Sequence, residues 1–176
     1  MKKIAYTLAA AALLLASTAH ADRGDQYALA KFGAMSVDLN KADPLVAFGF
    51  VYGYGLTPRI SAEAELNLGL LGGKYKDASG ETGEYRIWTL GTYGVYRFPV
   101  TDIVYLKGKA GFLYEGVSRT SSIVDDKSSY GFFPAIGLGV GASVPLFGQS
   151  RAVIEAEFAT VDKDVKFWSI GTHLAF

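Results

Sequence analysis

The sequence predicts an all-β fold, a closed eight-stranded antiparallel up-and-down barrel that crosses a membrane with its strands. Three observations carry that expectation. Along eight stretches of roughly ten or more residues, bulky apolar residues alternate with small or polar ones at period two, the repeat of a β-strand. Glycine and aromatic residues are both abundant, with 21 Gly, 11 Tyr and 11 Phe among 176 residues, which suits a barrel better than a helical domain. The connections alternate between tight turns and longer polar segments, as in barrels threaded through a bilayer.

The elements follow in order. Gln26–Val37 sets Lys31, Gly33 and Met35 against Ala30, Phe32 and Ala34. A short polar link, 38–43, leads to Leu45–Gly55, where Val46, Phe48, Phe50, Tyr52 and Tyr54 oppose Ala47, Gly49, Val51 and Gly53. Leu56-Thr57-Pro58-Arg59 reads as a tight turn, since proline pre-sets φ. Ile60–Leu71 alternates most cleanly: Ala62, Ala64, Leu66, Leu68 and Leu70 against Ser61, Glu63, Glu65, Asn67 and Gly69. Residues 72–83, rich in Gly, Lys and Asp, read as a loop. The fourth strand, Glu84–Phe98, sets Trp88, Leu90, Thr92, Tyr96 and Phe98 against Thr89, Gly91, Tyr93, Val95 and Arg97.

After a turn at 99–102, Ile103–Gly116 places Leu106, Ala110, Phe112 and Tyr114 opposite Tyr105, Lys107, Lys109 and Gly111. Residues 117–127 read as the second long polar loop. Ser128–Val144 is glycine-spaced, Ile136, Leu138, Val140 and Ala142 alternating with Gly137, Gly139 and Gly141. A turn at 145–150 precedes Arg151–Thr160, where Ala152, Ile154, Ala156 and Phe158 face away from Val153, Glu155, Glu157 and Ala159. The last strand, Val165–Phe176, carries Trp168, Ile170, Thr172, Leu174 and Phe176 on one face and Ser169, Gly171, His173 and Ala175 on the other.

Volume decides which face points inward. The interior of an eight-stranded barrel is only wide enough to be filled by side chains. The small faces fit that lumen and the bulky faces fit lipid. A soluble barrel around a cavity would reverse this and carry many charges outside, whereas only 19% of the chain is charged and most strand charges sit on the small face. Lys31, Arg97, Lys107 and Lys109 then meet Glu63, Glu65, Glu155 and Glu157 in one neutral layer low in the lumen, paired because isolated buried charges are costly. The structural reading of this layer is a salt-bridged plug; the functional one is a gated ion or proton path. Tyr52, Tyr54 and Tyr96 near the turn ends, and Trp88, Tyr114, Phe158 and Trp168 near the loop ends, read as two membrane-interface girdles.

Residues 1–21 read as a cleaved secretory signal peptide: Lys2 and Lys3, the apolar run Ile4–Ala16, then Ala19-His20-Ala21 at the cleavage positions. Residues 22–176 are the barrel domain, beginning with a flexible polar leader that contains Arg23-Gly24-Asp25. No later run is long and apolar enough for a spanning helix. There is no Cys, hence no disulfide framework and no lipid-anchored cysteine. The 17 basic and 17 acidic residues balance, which argues against a nucleic-acid partner.

GFVYGYGLTPRISAEAEL (49–66), LGTYGVYRFP (90–99) and the terminal strand ending on Phe176 resemble the small eight-stranded outer-membrane barrels of the OmpA-type transmembrane and OmpX–opacity-like group, the "porin family" with an outer membrane protein β-barrel domain. The resemblance implies residence in the Gram-negative cell outer membrane after export through the Sec pathway, with lipid and lipopolysaccharide as surroundings. It also implies that Ile170, Leu174 and Phe176 form the signal read by the barrel-assembly machinery. No wall-binding domain follows Phe176, so a tethering role is not expected.

For activity, the reading is a non-enzymatic barrel with a structural or surface-interaction role, which would meet a host or surface ligand through residues 72–83 and 117–127. Two alternatives stand beside it, a narrow ion or small-solute channel and a lipid-modifying outer-membrane enzyme. Acyl chemistry needs a nucleophile, a base and an orienting acid. Ser169 and His173 share a face but lie four residues apart, roughly 13 Å along a strand. No catalytic residues, metal ligands or cofactors are therefore expected. Asp125-Asp126 and Asp162 with Asp164 read as solvated loop acids rather than a cation site.

Overall fold

A computed structural model describes residues 24–38, 42–76, 82–120, 127–145, 151–161 and 165–175. Among the described residues nine strands follow one another: β1 (Gln26–Val37), β2 (Leu45–Gly55), β3 (Ile60–Gly69), β4 (Gly73–Lys76), β5 (Thr82–Pro99), β6 (Val104–Thr120), β7 (Lys127–Pro145), β8 (Arg151–Val161) and β9 (Val165–Ala175). Each pairs antiparallel with its neighbour, β1 pairs with β9, and β3 pairs with β5, which closes the sheet. The short β4 pairs only with β5, so it continues the stave that β3 begins, and the barrel has eight staves.

The register fixes its shape. A line perpendicular to the strands runs from Pro99 through Tyr105, Gly141, Glu155, Gly171, Lys31, Gly49 and Asn67 and returns to β5 at Thr89. It returns ten residues from where it started. That shear, spread over eight staves, tilts the strands by roughly 40°. Where the eight staves overlap, the closed ring leaves no unpaired strand edge, the requirement for any sheet in hydrocarbon.

Odd-numbered residues of every stave face inward and even-numbered ones outward. On β2 and β3 the burial alternates without a break. The two-aromatic fourth stave resolves the same way, with Thr89, Tyr93, Val95 and Arg97 inside and Leu90, Tyr96 and Phe98 outside. The outward set includes Phe32, Phe48, Phe50, Leu66, Leu68, Phe112, Ile136, Leu138 and Ile170, all exposed. Exposure of that much bulky apolar surface is the mark of a lipid-facing wall.

Two of the tight turns share one device. Thr57 Oγ1 accepts from Arg59 N and Ile60 N, and Thr101 Oγ1 accepts from Ile103 N and Val104 N. Leu56 N–H and Val100 N–H bond the carbonyls of Ile60 and Val104, both at 2.9 Å. The threonine, present in both turns, anchors them.

Three expectations need correction. The segment 72–83 is not all loop, because Gly73–Lys76 pairs with Thr82–Tyr85. The segment 117–127 is shorter as a loop, because β6 and β7 stay paired out to Arg119 and Lys127. The leader is not free at its end, since Gly24 N–H donates to Gly55 O and Gly55 N–H to Asp25 O, both at 2.9 Å. Gly24 makes that docking at φ +96°, where a Cβ would be strained.

Candidate functional site

The lumen is built in two storeys. The storey nearer the termini is polar and charged. Lys31, Glu63, Glu65, Lys107, Lys109, Glu155 and Glu157 point inward from β1, β3, β6 and β8 and are buried; Arg97 of β5 closes the lower end. Their ammonium and carboxylate groups meet in one network. Lys107 Nζ lies 2.7 Å from Glu155, 3.0 Å from Glu157 and 3.1 Å from Glu63. Lys109 Nζ reaches Glu65 at 2.5 Å and Glu157 at 2.6 Å. Lys31 Nζ reaches Glu65 at 2.8 Å and Glu157 at 2.9 Å, and Arg97 pairs with Glu63 at 2.9 Å. β3 and β8 stand four staves apart, on opposite walls, so the lysines of β1 and β6 bridge the full width of the barrel.

Neutral side chains complete the network. Tyr27 O–H donates to Glu63 at 2.6 Å and receives a bond from Arg97 at 2.7 Å. Tyr105 O–H donates to Glu155 at 2.8 Å. His173 Nε2 lies 3.2 Å from Glu155 Oε2, with its ring stacked on Tyr27 at 5.2 Å. Asn67 donates to Glu65 at 2.8 Å and to Thr89 at 2.9 Å. Lys109 Nζ also sits 4.2 Å above the Tyr93 ring, and Lys31 5.3 Å from that of Phe167, positions where the ring face stabilises a cation.

Glycines make the room. A Cβ on Gly53 would overlap the Tyr27 ring, and one on Gly141 the Tyr105 ring. These glycines stand directly across from those tyrosines in the neighbouring strands. The high glycine content thus lets lumen aromatics lie flat on the barrel wall.

The storey farther from the termini is apolar. Met35, Val37, Leu45, Ala47, Tyr85, Ile87, Leu113, Val117, Ala135, Val165 and Phe167 pack there into one buried cluster with Tyr93 and Val95, joined by Tyr75 of β4. Tyr85 O–H donates to Asp43 O at 2.6 Å, and Asp43 N–H donates to Lys74 O at 2.9 Å. These bonds tie the β1–β2 connection to β4 above the cluster. The charged residues thus occupy one layer low in the lumen, and the half above it is filled by bulky apolar side chains that the reading of a small-residue face did not anticipate. The signal lay in the strand ends, where Met35, Val37, Leu113, Val165 and Phe167 carry apolar residues onto the small face.

On the outer wall, Tyr52, Tyr54, Tyr96, Tyr114 and Trp168 are exposed and Trp88 and Phe158 half-buried. Trp88 leans on Tyr114 at 5.7 Å, Tyr114 stacks on Tyr130 at 6.2 Å, and Phe158 meets Trp168 at 4.3 Å. Ile170 faces outward and is exposed. Phe176, Asp125, Asp126, Asp162 and Asp164 lie outside the described residues, as do the backbone of 1–23 and the tips of both long connections.

No curated protein matches the chain. Solved structures similar to it include several membrane barrels. The N-terminal β-barrel domain of Pseudomonas aeruginosa OprF shares 13% identity at a TM-score of 0.59, over 87% of this chain and 99% of that one. Ail, the attachment invasion locus protein of Yersinia pestis, shares 16% at 0.57, over 88% and 99%. The outer membrane protein OprG of Pseudomonas aeruginosa shares 12% at 0.60, over 88% and 97%. At these identities the likeness is one of fold. The model of the outer membrane protein β-barrel domain matches residues 7–176, and with it the chain belongs to that family of Gram-negative outer-membrane barrels.

Proposed function

We propose that this chain is a non-enzymatic outer-membrane barrel whose lumen is sealed, and which acts through the wall it presents to lipid and the hairpins it presents outside. The observation that carries this reading is the filled lumen. An ion crossing it would first displace Lys107 from three carboxylates and then lose its water among Leu113, Ile87 and Phe167, an apolar barrier without polar replacements. The charge layer is accordingly a structural plug rather than a path. His173 supports the same reading: it is buried against Glu155 and Tyr27, and lipid outside the barrel cannot reach it.

In this reading residues 1–21 direct Sec export and are removed. Ile170, Leu174 and Phe176 guide the barrel-assembly machinery, and the two aromatic girdles fix the barrel's depth in the bilayer. The outer ends of β4–β5 and β6–β7 are the surface for a host or envelope ligand; Ail, of the same fold, has been crystallised with a heparin analogue. A strain lacking the protein tests the proposal. Greater sensitivity to bile salts, restored equally by the wild type and by His173→Ala, is the expected result. Phospholipid or lipid A turnover that disappears with His173→Ala would instead make the protein an enzyme.

A further inference from the structure

The outer wall is not evenly covered. Across β7, β8, β9 and β1 a groove of about 570 Å³ runs between Leu138 and Val140 on one side and Trp168, Ile170 and Phe32 on the other. Its floor is Ala156, the small residue between Val140 and Ile170 in the register. The rims stand high: Leu138 is 71% exposed and Trp168 61%. Phe158, tilted against Trp168 at 4.3 Å, closes the end farther from the termini. Every side chain on this outward face of the groove is apolar, so it suits a ligand segment with no polar atoms.

Charge appears directly above it. Two residues beyond Trp168, on the same outward face of β9, stands Lys166, exposed and without an ion pair among the described residues. Its cross-strand neighbours are Ser36 and Thr160. An uncharged slot below a cation is complementary to one kind of molecule in this setting. That molecule is a lipid with a flexible hydrocarbon chain and an anionic phosphate at the membrane surface.

We propose that this groove is a lipid-binding site that holds one acyl chain of a phosphate-bearing anionic lipid from the leaflet farther from the termini, with the headgroup phosphate on Lys166. It differs from the rest of the wall, which lipid merely wets, because chain and headgroup contacts are set at a fixed spacing. One lysine near a charged lipid surface favours the anionic lipid by about fivefold.

The two tryptophans, Trp88 and Trp168, make the test direct. The chain carrying Trp88→Phe, refolded into phosphatidylcholine vesicles, reports through Trp168 alone. Small amounts of phosphatidylglycerol or phosphatidylcholine with a dibrominated acyl chain are added, and quenching is compared. The expected result is about fivefold stronger apparent binding for the anionic lipid, falling to parity with Lys166→Gln. Filling the floor with Ala156→Phe should also abolish the preference while the barrel stays folded, as shown by its heat-dependent gel migration. Equal quenching by the two lipids in the Trp88→Phe protein would overturn the proposal, leaving ordinary surrounding lipid only. A preference that survives Ala156→Phe would overturn the seat for the chain, leaving a headgroup contact alone.

Discussion

The two storeys of the lumen fill the same narrow cylinder by opposite means. Below, opposite walls are joined by ions whose pairing is obligatory, because a lone charge there has neither water nor partner. Above, the walls meet through close packing of Leu, Ile, Val, Met and Phe, where each contact is small and replaceable. The lower storey therefore confers specificity. A one-residue slip of β3 or β8 would turn their glutamates toward lipid, so the ion network fixes register as well as filling space. In the proposed sealed barrel, the upper storey is what excludes water and solutes.

The sharpest way to break this comparison is Lys107→Met. It leaves Glu63, Glu155 and Glu157 short of a cation, and the loss of one partner from a buried network costs about 4 kcal/mol; urea unfolding of the refolded barrel, followed by tryptophan fluorescence, reads it. Next comes Leu113→Ala in the upper storey, expected to cost about 3 kcal/mol through a cavity. A reversed order would mean that packing, not ion pairing, dominates the lumen. Gly53→Ala should cost about 2 kcal/mol, because the Tyr27 ring must leave its place above the glycine and with it the bond to Glu63. Arg86→Gln, on the exposed outer extension of β5, should stay within about 0.5 kcal/mol and serves as the baseline for the other three.

Much of this was legible in the chain itself, for physical reasons that also explain what was not. Period-two alternation fixes which residues share a face, and the narrow lumen decides which face is inside, so Glu63, Glu65, Glu155 and Glu157 could be set opposite Lys31, Lys107 and Lys109 from sequence alone. Long-range geometry was not accessible: nothing in the spacing says that Lys107 reaches three carboxylates, since that depends on the ten-residue shear. Tyr105 fell on the small face with Lys107 and Lys109, whereas Tyr27 was hard to place because an aromatic ring reads as lipid-facing unless the glycine across from it, Gly53, is known. The apolar storey was hidden where both faces of a strand become apolar, as at Leu113 and Phe167, and alternation loses contrast. The extents of β4 and β6 escaped because Gly-Lys-Tyr-Lys and Val-Ser-Arg-Thr carry turn-like or polar residues, and pairing with a neighbour, not propensity, makes them strand.

Single-channel recording across a planar bilayer tests the sealed lumen most directly. Refolded wild-type protein, inserted at known density, should give no stepwise current at any holding potential. Regular current steps that change size with Glu63→Gln or Lys107→Gln would contradict it, and would turn the ion layer from a plug into a pathway.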